Sequence, residues 1–360
     1  MRKRKPNKKS SPVREKKQIT AIDLFCGAGG LTRGLIDEGV KVVAGADIDI
    51  ACKYPYEHNN ESKFIKSDVS KLTGGELAKL YPKGGVRVLV GCAPCQPFSK
   101  YTQGLNAKAD AKWSLLRSFT RLIRELRPDI VSMENVPQLE NHSIFGEFVK
   151  ALKVLGYHVS YSVVFCPDFG VPQQRNRLVL FASKFGPIEI IKPTRKKHQT
   201  VKSAIGHLPP LKAGEIDGDD PLHRCSSLSE LNLRRIRASK PGGTWRDWDS
   251  SLVAACHKKK EGRSYPGVYG RMEWDSPSPT ITTQFFGFGN GRFGHPKQNR
   301  ALSLREGAIL QSFPRDYAFM KPGTEYGTKT IGQLIGNAVP VKLGRAVGKT
   351  IKHHLEKYHA

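Results

Sequence analysis

Four side chains in this sequence have the type and setting for chemistry. Cys95 lies in the loop Gly91-Cys92-Ala93-Pro94-Cys95-Gln96-Pro97-Phe98-Ser99, directly after an apolar run at 86–90. A cysteine in a proline-framed loop at the carboxyl end of a strand sits where open α/β sheets bind their ligands. The thiolate is the nucleophile, and a free thiol with a pKa of about 8.5 is mostly protonated at neutral pH, so a reactive Cys95 needs activating neighbours. Glu134, in Glu134-Asn135-Val136, closes another apolar run at 130–133. A carboxyl at a neighbouring strand end can protonate or hydrogen-bond a ring nitrogen. Arg175 and Arg177, in Gln173-Gln174-Arg175-Asn176-Arg177, open the run at 178–181. Alternate residues of a strand share a face, so both arginines can point into one cleft. Taken singly, each has a plainer reading: an inert buried thiol, a solvent-facing acid, a surface ion pair. Cys92 and Cys95 also form a C-x-x-C pair, but no second such pair accompanies it and a thioredoxin-like context is missing, so no metal is expected.

A second group of residues points to a cofactor. Asp23-Leu24-Phe25-Cys26-Gly27-Ala28-Gly29-Gly30 ends the first apolar run and opens a helical pattern. Glycines there let the backbone turn sharply and approach a ligand. The pattern departs from G-x-G-x-x-G, because Thr32 stands in the sixth position. Asp47, twenty residues after Gly27, closes the second apolar run and can accept hydrogen bonds from ribose hydroxyls. Asp68 and Val69, after the third run, would reach an adenine ring in the same crevice. Three strand ends converging on one edge imply a nucleoside-bearing cofactor, either a dinucleotide or S-adenosyl-L-methionine.

The elements that must position these groups follow a βαβα rhythm. Strands are expected at 19–24, 42–46, 64–65, 86–90, 130–133, 159–165 and 178–181, with helices at 31–38, from 50 and through 115–126. That alternation implies an α/β, Rossmann-like fold with a mostly parallel sheet covered by helices on both faces. From about 187 the rhythm gives way to a stretch rich in Pro, Gly, Arg and aromatics, including Phe285-Phe286-Gly287-Phe288-Gly289. It reads as a smaller, irregular, β-rich domain. The expected organisation is a basic disordered tail at 1–17, a catalytic and cofactor-binding domain at 18–186, a second domain at 187–324, and a segment at 325–360 that packs back on the first.

Composition constrains the partner. Lys and Arg outnumber Asp and Glu by 59 to 32, a net +27, so a polyanion is the natural partner. Residues 1–17 hold nine Lys/Arg and one Glu, leaving a body that is still basic; the tail has no apolar core of a secretory signal. No stretch approaches the roughly 18 consecutive apolar residues of a membrane span. Seven scattered cysteines fit a reducing compartment better than a disulfide framework. A cytoplasmic protein that associates with the nucleoid is expected.

In order and spacing, these segments resemble the cytosine-5 DNA methyltransferase family, from Ile19 to the final helix. Phe25 with Gly27, Gly29 and Gly30 resembles its first cofactor motif, and Asp47-Ile48 its ribose and adenine contacts, although the family often has Glu at the first position. Pro94-Cys95-Gln96 resembles the nucleophile loop, Glu134-Asn135-Val136 the acidic motif, and the segment Gln173 to Arg177 the arginine motif. Arg300-Ala301-Leu302-Ser303-Leu304-Arg305-Glu306, running on to Gln311-Ser312-Phe313-Pro314, resembles the motif that organises target recognition. Ile335-Gly336-Asn337-Ala338-Val339-Pro340 resembles the last motif, which returns to the cofactor pocket; Asn337 and Val339 are cofactor contacts on that basis.

The resemblance implies methyl transfer from S-adenosyl-L-methionine to C5 of a cytosine flipped out of double-stranded DNA. Cys95 would add to C6, Glu134 would stabilise the adduct at N3, and Arg177 with Arg175 would hold O2. A lid at 98–111 would close over the base, and 187–324 would act as the target-recognition domain. The resemblance further implies a prokaryotic modification enzyme, monomeric, with a possible cognate restriction endonuclease acting on the same site. Three rivals stand beside this reading. One is a transfer-RNA methyltransferase of the same family, another a silent DNA-binding module of the same fold. The third is a zinc deaminase, whose H-x-E and P-C-x-x-C pair is missing here.

Overall fold

The computed structural model describes residues 18–94, 109–193, 197–324 and 327–359. Cys95 and the lid residues 98–108 lie outside the described residues. Seven strands form one sheet: β1 (Ile19–Leu24), β2 (Lys41–Asp47), β3 (Lys63–Lys66), β4 (Val86–Gly91), β5 (Ile130–Asn135), β6 (His158–Phe165) and β7 (Asn176–Ser183). Their order is β3-β2-β1-β4-β5-β7-β6. The first five strands are parallel, while β7 runs antiparallel between β5 and β6. The mostly parallel α/β sheet expected from the sequence is thus the observed one.

The helices are α1 (Gly30–Asp37), α2 (Lys53–Asn60), α3 (Gly74–Ala78), α4 (Ala109–Leu126), α5 (Ser143–Val154), α6 (Val201–Ile205), α7 (Glu230–Ala238), α8 (Ala255–Lys258), α9 (Leu304–Leu310), α10 (Thr328–Asn337) and α11 (Val341–His359). Strand side chains alternate between two buried faces, as in any sheet sandwiched by helices. Ile22, Leu24, Leu89, Val131 and Met133 meet Phe119 and Ile123 of α4 and Phe148 of α5 on one face. Ala21, Val88, Val90 and Phe181 meet Leu35 of α1 and Leu343, Val347 and Ile351 of α11 on the other. The four-residue spacing in α11 makes a single apolar stripe. Burying each such side chain stabilises the fold by roughly 1.5–3 kcal/mol. α11 is therefore part of the sheet's own core, although it follows the irregular segment in the chain.

Between 187 and 324 the structure departs from the β-rich expectation. Its β structure among the described residues is limited to isolated bridges, such as Ile216↔Arg224, Arg271↔Gly294 and Gly294↔Ala301. The segment is rich in Pro and Gly, which disfavour ladders because Pro lacks the N–H and Gly adds no packing. Buried side chains satisfy the backbone in place of a ladder. Arg271 is 5% exposed, and its guanidinium donates to the carbonyls of Ile236, Ser239, His295 and Gln298 and to the side chain of Asn299. Met272, Ile281, Phe285 and Leu302 of this segment share one apolar cluster with Tyr56, Phe64 and Ile335.

Candidate active site and cofactor crevice

The sheet's parallel strands end at one edge, and strand direction decides what else reaches it. β5 pairs with β7 antiparallel, with Glu134 opposite Val179 and Asn135 opposite Leu178. The beginning of β7, not its end, therefore lies at the carboxyl ends of β1, β4 and β5. That is why arginines at the start of a strand meet an acid at the end of another. Arg177 Nε sits 2.8 Å from Glu134 Oε1, with side-chain exposures of 13% and 4%. The other carboxylate oxygen, Oε2, accepts a hydrogen bond from the Cys92 thiol at 2.9 Å. Asn135 donates from Nδ2 to the carbonyl of Ala93 at 3.1 Å, and its Oδ1 accepts from the backbone N–H of Val136 at 2.8 Å. Asn135 thus ties the end of β5 to the entrance of the Pro94-Cys95 loop.

The two arginines are not equivalent. Arg177 also donates to the carbonyl of Asn176 at 2.7 Å. Arg175, outside β7 by one residue, is 6% exposed and donates from Nη1 to Gln173 Oε1 and to the carbonyl of Ile281, both at 3.4 Å. Burial first, and then the charge of Arg177, lowers its pKa to about 10. The sequence puts both arginines on one face; in the structure Arg177 faces Glu134, whereas Arg175 turns to Gln173 and the backbone of the 187–324 segment.

The cofactor crevice forms one strand over. Phe25 and Gly27 have φ of +59° and +52°, and Gly29 has +89°. Phe25 pays a small strain for that turn, whereas glycine adopts it freely. A Cβ on Gly29 would lie 2.5 Å from Asn60 Nδ2, and one on Gly30 would lie 2.2 Å from the carbonyl of Val339. So the last motif does return to the first turn, through the backbone of Val339, which is 7% exposed. Asn337 is exposed at the end of α10.

Asp47 accepts the backbone N–H of Gly27 on Oδ2 at 2.9 Å and that of Asp49 on Oδ1 at 3.0 Å. Each carboxylate oxygen has two lone pairs, so both keep one for a ligand hydroxyl. Burial raises the Asp47 pKa, against these two hydrogen bonds. Next to it Ile48 is 67% exposed and Ile50 52%, large apolar side chains beside a polar crevice. Across β3, Asp68 caps a short helical turn by accepting the N–H of Ser70 at 2.9 Å, which lowers its pKa, and Val69 is buried. A glycine turn, a carboxylate with free lone pairs and an uncovered apolar side chain fit a ribose-bearing, adenine-containing cofactor.

Several groups were not legible beforehand. Cys92 drew attention only as half of a C-x-x-C, yet it contacts the key carboxylate. Asp23 is 1% exposed, accepts the Thr32 hydroxyl at 2.7 Å, and burial pushes its pKa up to about 7. Thr32, read as a missing glycine, is therefore the donor that this buried acid uses. Tyr317 donates to the carbonyl of Ala28 at 2.6 Å and accepts from Asn60 at 3.0 Å, bracing the glycine turn from a distance of 289 residues in the chain. No local pattern announces such a contact. Among the described residues no group of His, Cys, Asp and Glu is arranged to hold a metal ion, and no helix is long and apolar enough to cross a membrane.

Comparisons with known proteins meet this geometry. A family model described as C-5 cytosine-specific DNA methylase matches residues 19–353. The chain is 55% identical over 343 residues to the Type II methylase M.HgiDII of Herpetosiphon aurantiacus, covering 94% of this chain and 96% of that protein. It is 32% identical over 352 residues to the Type II methyltransferase M.Eco47II of Escherichia coli, covering 94% and 80%. The fold resembles a solved putative DNA modification methyltransferase encoded within an E. coli prophage, with a TM-score of 0.72 at 21% identity over 94% of this chain and all of that one. The chain belongs to the C-5 cytosine-specific DNA methylase family and is a DNA (cytosine-5-)-methyltransferase.

Proposed function

We propose that the protein methylates C5 of a cytosine flipped out of a specific duplex DNA sequence, through a covalent bond from Cys95 to C6. The observation that carries this reading is Glu134, held between Arg177 and the Cys92 thiol at the end of the strand beside Pro94. Cytosine C5 is a weak nucleophile, and thiolate addition at C6 makes it enamine-like. Charge develops on the ring as that bond forms. Glu134, entering the step protonated, passes its proton to N3 as the C6–S bond forms and takes it back on elimination. It uses the oxygen that now accepts the Cys92 thiol, a weak donor displaced at little cost. Arg177 neutralises the carboxylate and offers its remaining N–H groups to O2. After transfer, loss of the C5 proton expels the thiolate and restores the aromatic ring. None of these groups can reach a base inside the stack, so the base must leave it.

S-adenosyl-L-methionine, when bound, supplies an electrophilic methyl group. Asp47 would hold its ribose and Ile48 with Val69 its adenine, while Asp68, Phe25, Gly27, Gly29, Gly30, Asn337 and Val339 would complete the crevice. Residues 187–324 act as the target-recognition part, with residues 18–186 and 325–360 as the catalytic body. The two sequence relatives are named as Type II enzymes, which supports a modification role beside a cognate endonuclease. In this reading the enzyme acts as a monomer. Labelled methyl groups should pass from S-adenosyl-L-methionine to duplex DNA and not to transfer RNA. Sequencing should place every 5-methylcytosine in one short motif. Incorporation into transfer RNA alone would overturn this reading.

A further inference from the structure

Resting on the DNA reading above, we infer that the turn carrying Lys258, Lys259, Lys260 and Arg263, together with Arg246, forms a built ridge that grips the phosphates of duplex DNA. The turn begins in the last residues of α8 and is folded around a ring stack. The indole of Trp245 lies face to face with the imidazole of His257, with ring centroids 4.5 Å apart and planes within 7°. His257 is 3% exposed and its Nδ1 lies 3.1 Å from the carbonyl of Gly262, which closes the turn from within. Trp245 Nε1 donates to the carbonyl of Tyr265 at 3.1 Å. The Arg246 guanidinium covers the Trp245 ring, 5.1 Å from its centroid, and donates to the carbonyl of Arg263 at 2.7 Å.

Five exposed cations therefore stand on a turn held by the Trp245–His257 stack and its hydrogen bonds. Glu261 offsets one of them in sequence. The acids next to Arg246 have other tasks: Asp247 accepts the N–H of Thr244 at 2.7 Å and Asp249 that of Ser251 at 2.9 Å. A run of lysines on its own is more often a solvated face. Here the lysines flank a buried aromatic stack that fixes the turn and has no catalytic part. The ridge also borders a cleft of about 540 Å³ lined by Tyr265, Gly267, Gln174, Thr280, Thr282 and Arg292. Gln174, the residue before Arg175 in the chain, is among the residues that line this cleft. A duplex laid along it would have phosphates on the ridge and base edges over the cleft.

Each phosphate neutralised releases a counterion, with a slope of about 0.9 in log K against log salt. The test measures affinity for a duplex of random sequence, and for one carrying the methylated motif, from 50 to 200 mM KCl. The triple variant Lys258→Gln, Lys259→Gln, Lys260→Gln should lower the slope by about 2–3 on both duplexes, while the corresponding Lys→Arg triple restores it. Arg246→Gln with Arg263→Gln should give a further drop of about 1–2 in the same plot. An unchanged slope in the lysine triple, with the fold intact by circular dichroism, would overturn the ridge. Because the random duplex reads phosphate contacts alone, this outcome is independent of methyl transfer, whose failure in the wild-type protein would instead sink the function proposed above.

Discussion

The ligand edge of the sheet and the 187–324 segment are held in place by different physics. At the sheet edge, register does the work: once β5 and β7 pair, Glu134 and Arg177 are brought together by the ladder. Strength comes from many apolar contacts, each modest. In the irregular segment the described residues form only isolated bridges, and buried polar anchors add to a shared apolar cluster in fixing position. Arg300 is fully buried and pairs with Glu306 through both terminal nitrogens at 2.7 Å, while Glu306 also accepts the N–H of Ser303 at 2.7 Å. Gln173 donates to Gln311 at 2.8 Å and accepts the N–H of Ile281 at 2.9 Å, joining the two regions. Removing one such anchor leaves several buried polar groups without partners at once. Each anchor therefore matters more.

That contrast can be broken at several points. The largest effect is expected on chemistry: Glu134→Gln should lower kcat for methyl transfer by about 10²–10⁴-fold, in the range for losing a proton-handling group, with little change in KM for DNA. Next, Arg300→Met strands the Glu306 carboxylate in the interior and should destabilise the protein by about 3–5 kcal/mol in urea unfolding. Ile22→Val, a comparable change at the heart of the sheet, should cost only about 0.5–1.5 kcal/mol. If the two stability losses are equal, the distinction between anchors and distributed packing fails.

The smallest effect concerns pH. Burial lowers the pKa of His295 from the ordinary 6.5 to about 4, against the pull of Glu306, whose Oε1 lies 3.6 Å from the ring. Between those values the unfolded chain binds a proton that the native ring refuses. Stability from this group is thus present above pH 6.5 and lost as pH falls toward 4. Substituting His295→Asn should flatten the fall in stability over that window, measured by denaturant midpoints at stepped pH. An equally steep fall would assign it to other groups.

The sheet is largely legible in the sequence because strands buried on both faces stand out as short apolar runs between helical stretches. β1 was read to the residue, and the other strands to within one or two at each end. The antiparallel insertion of β7 was not, since a strand's direction is not written in its composition. Glu134 and Arg177 could be nominated as strand-end residues, but their meeting needed that direction. The 187–324 segment reads as β-rich because its aromatics favour strands and the βα rhythm stops, yet among the described residues it holds only isolated bridges. Tyr317 bracing Ala28 and Cys92 facing Glu134 had no local signature, because both are contacts across the fold.

The most direct test uses a duplex in which fluorine replaces hydrogen at C5 of the target cytosine. The final elimination needs to remove a proton from that carbon, so the fluorine holds the enzyme on the base. Mass spectrometry of the trapped complex should show a DNA adduct on the peptide containing Cys95, lost in Cys95→Ser and sharply slowed in Glu134→Gln. An adduct on Cys92, or none while methyl transfer to ordinary duplex continues, would contradict the account.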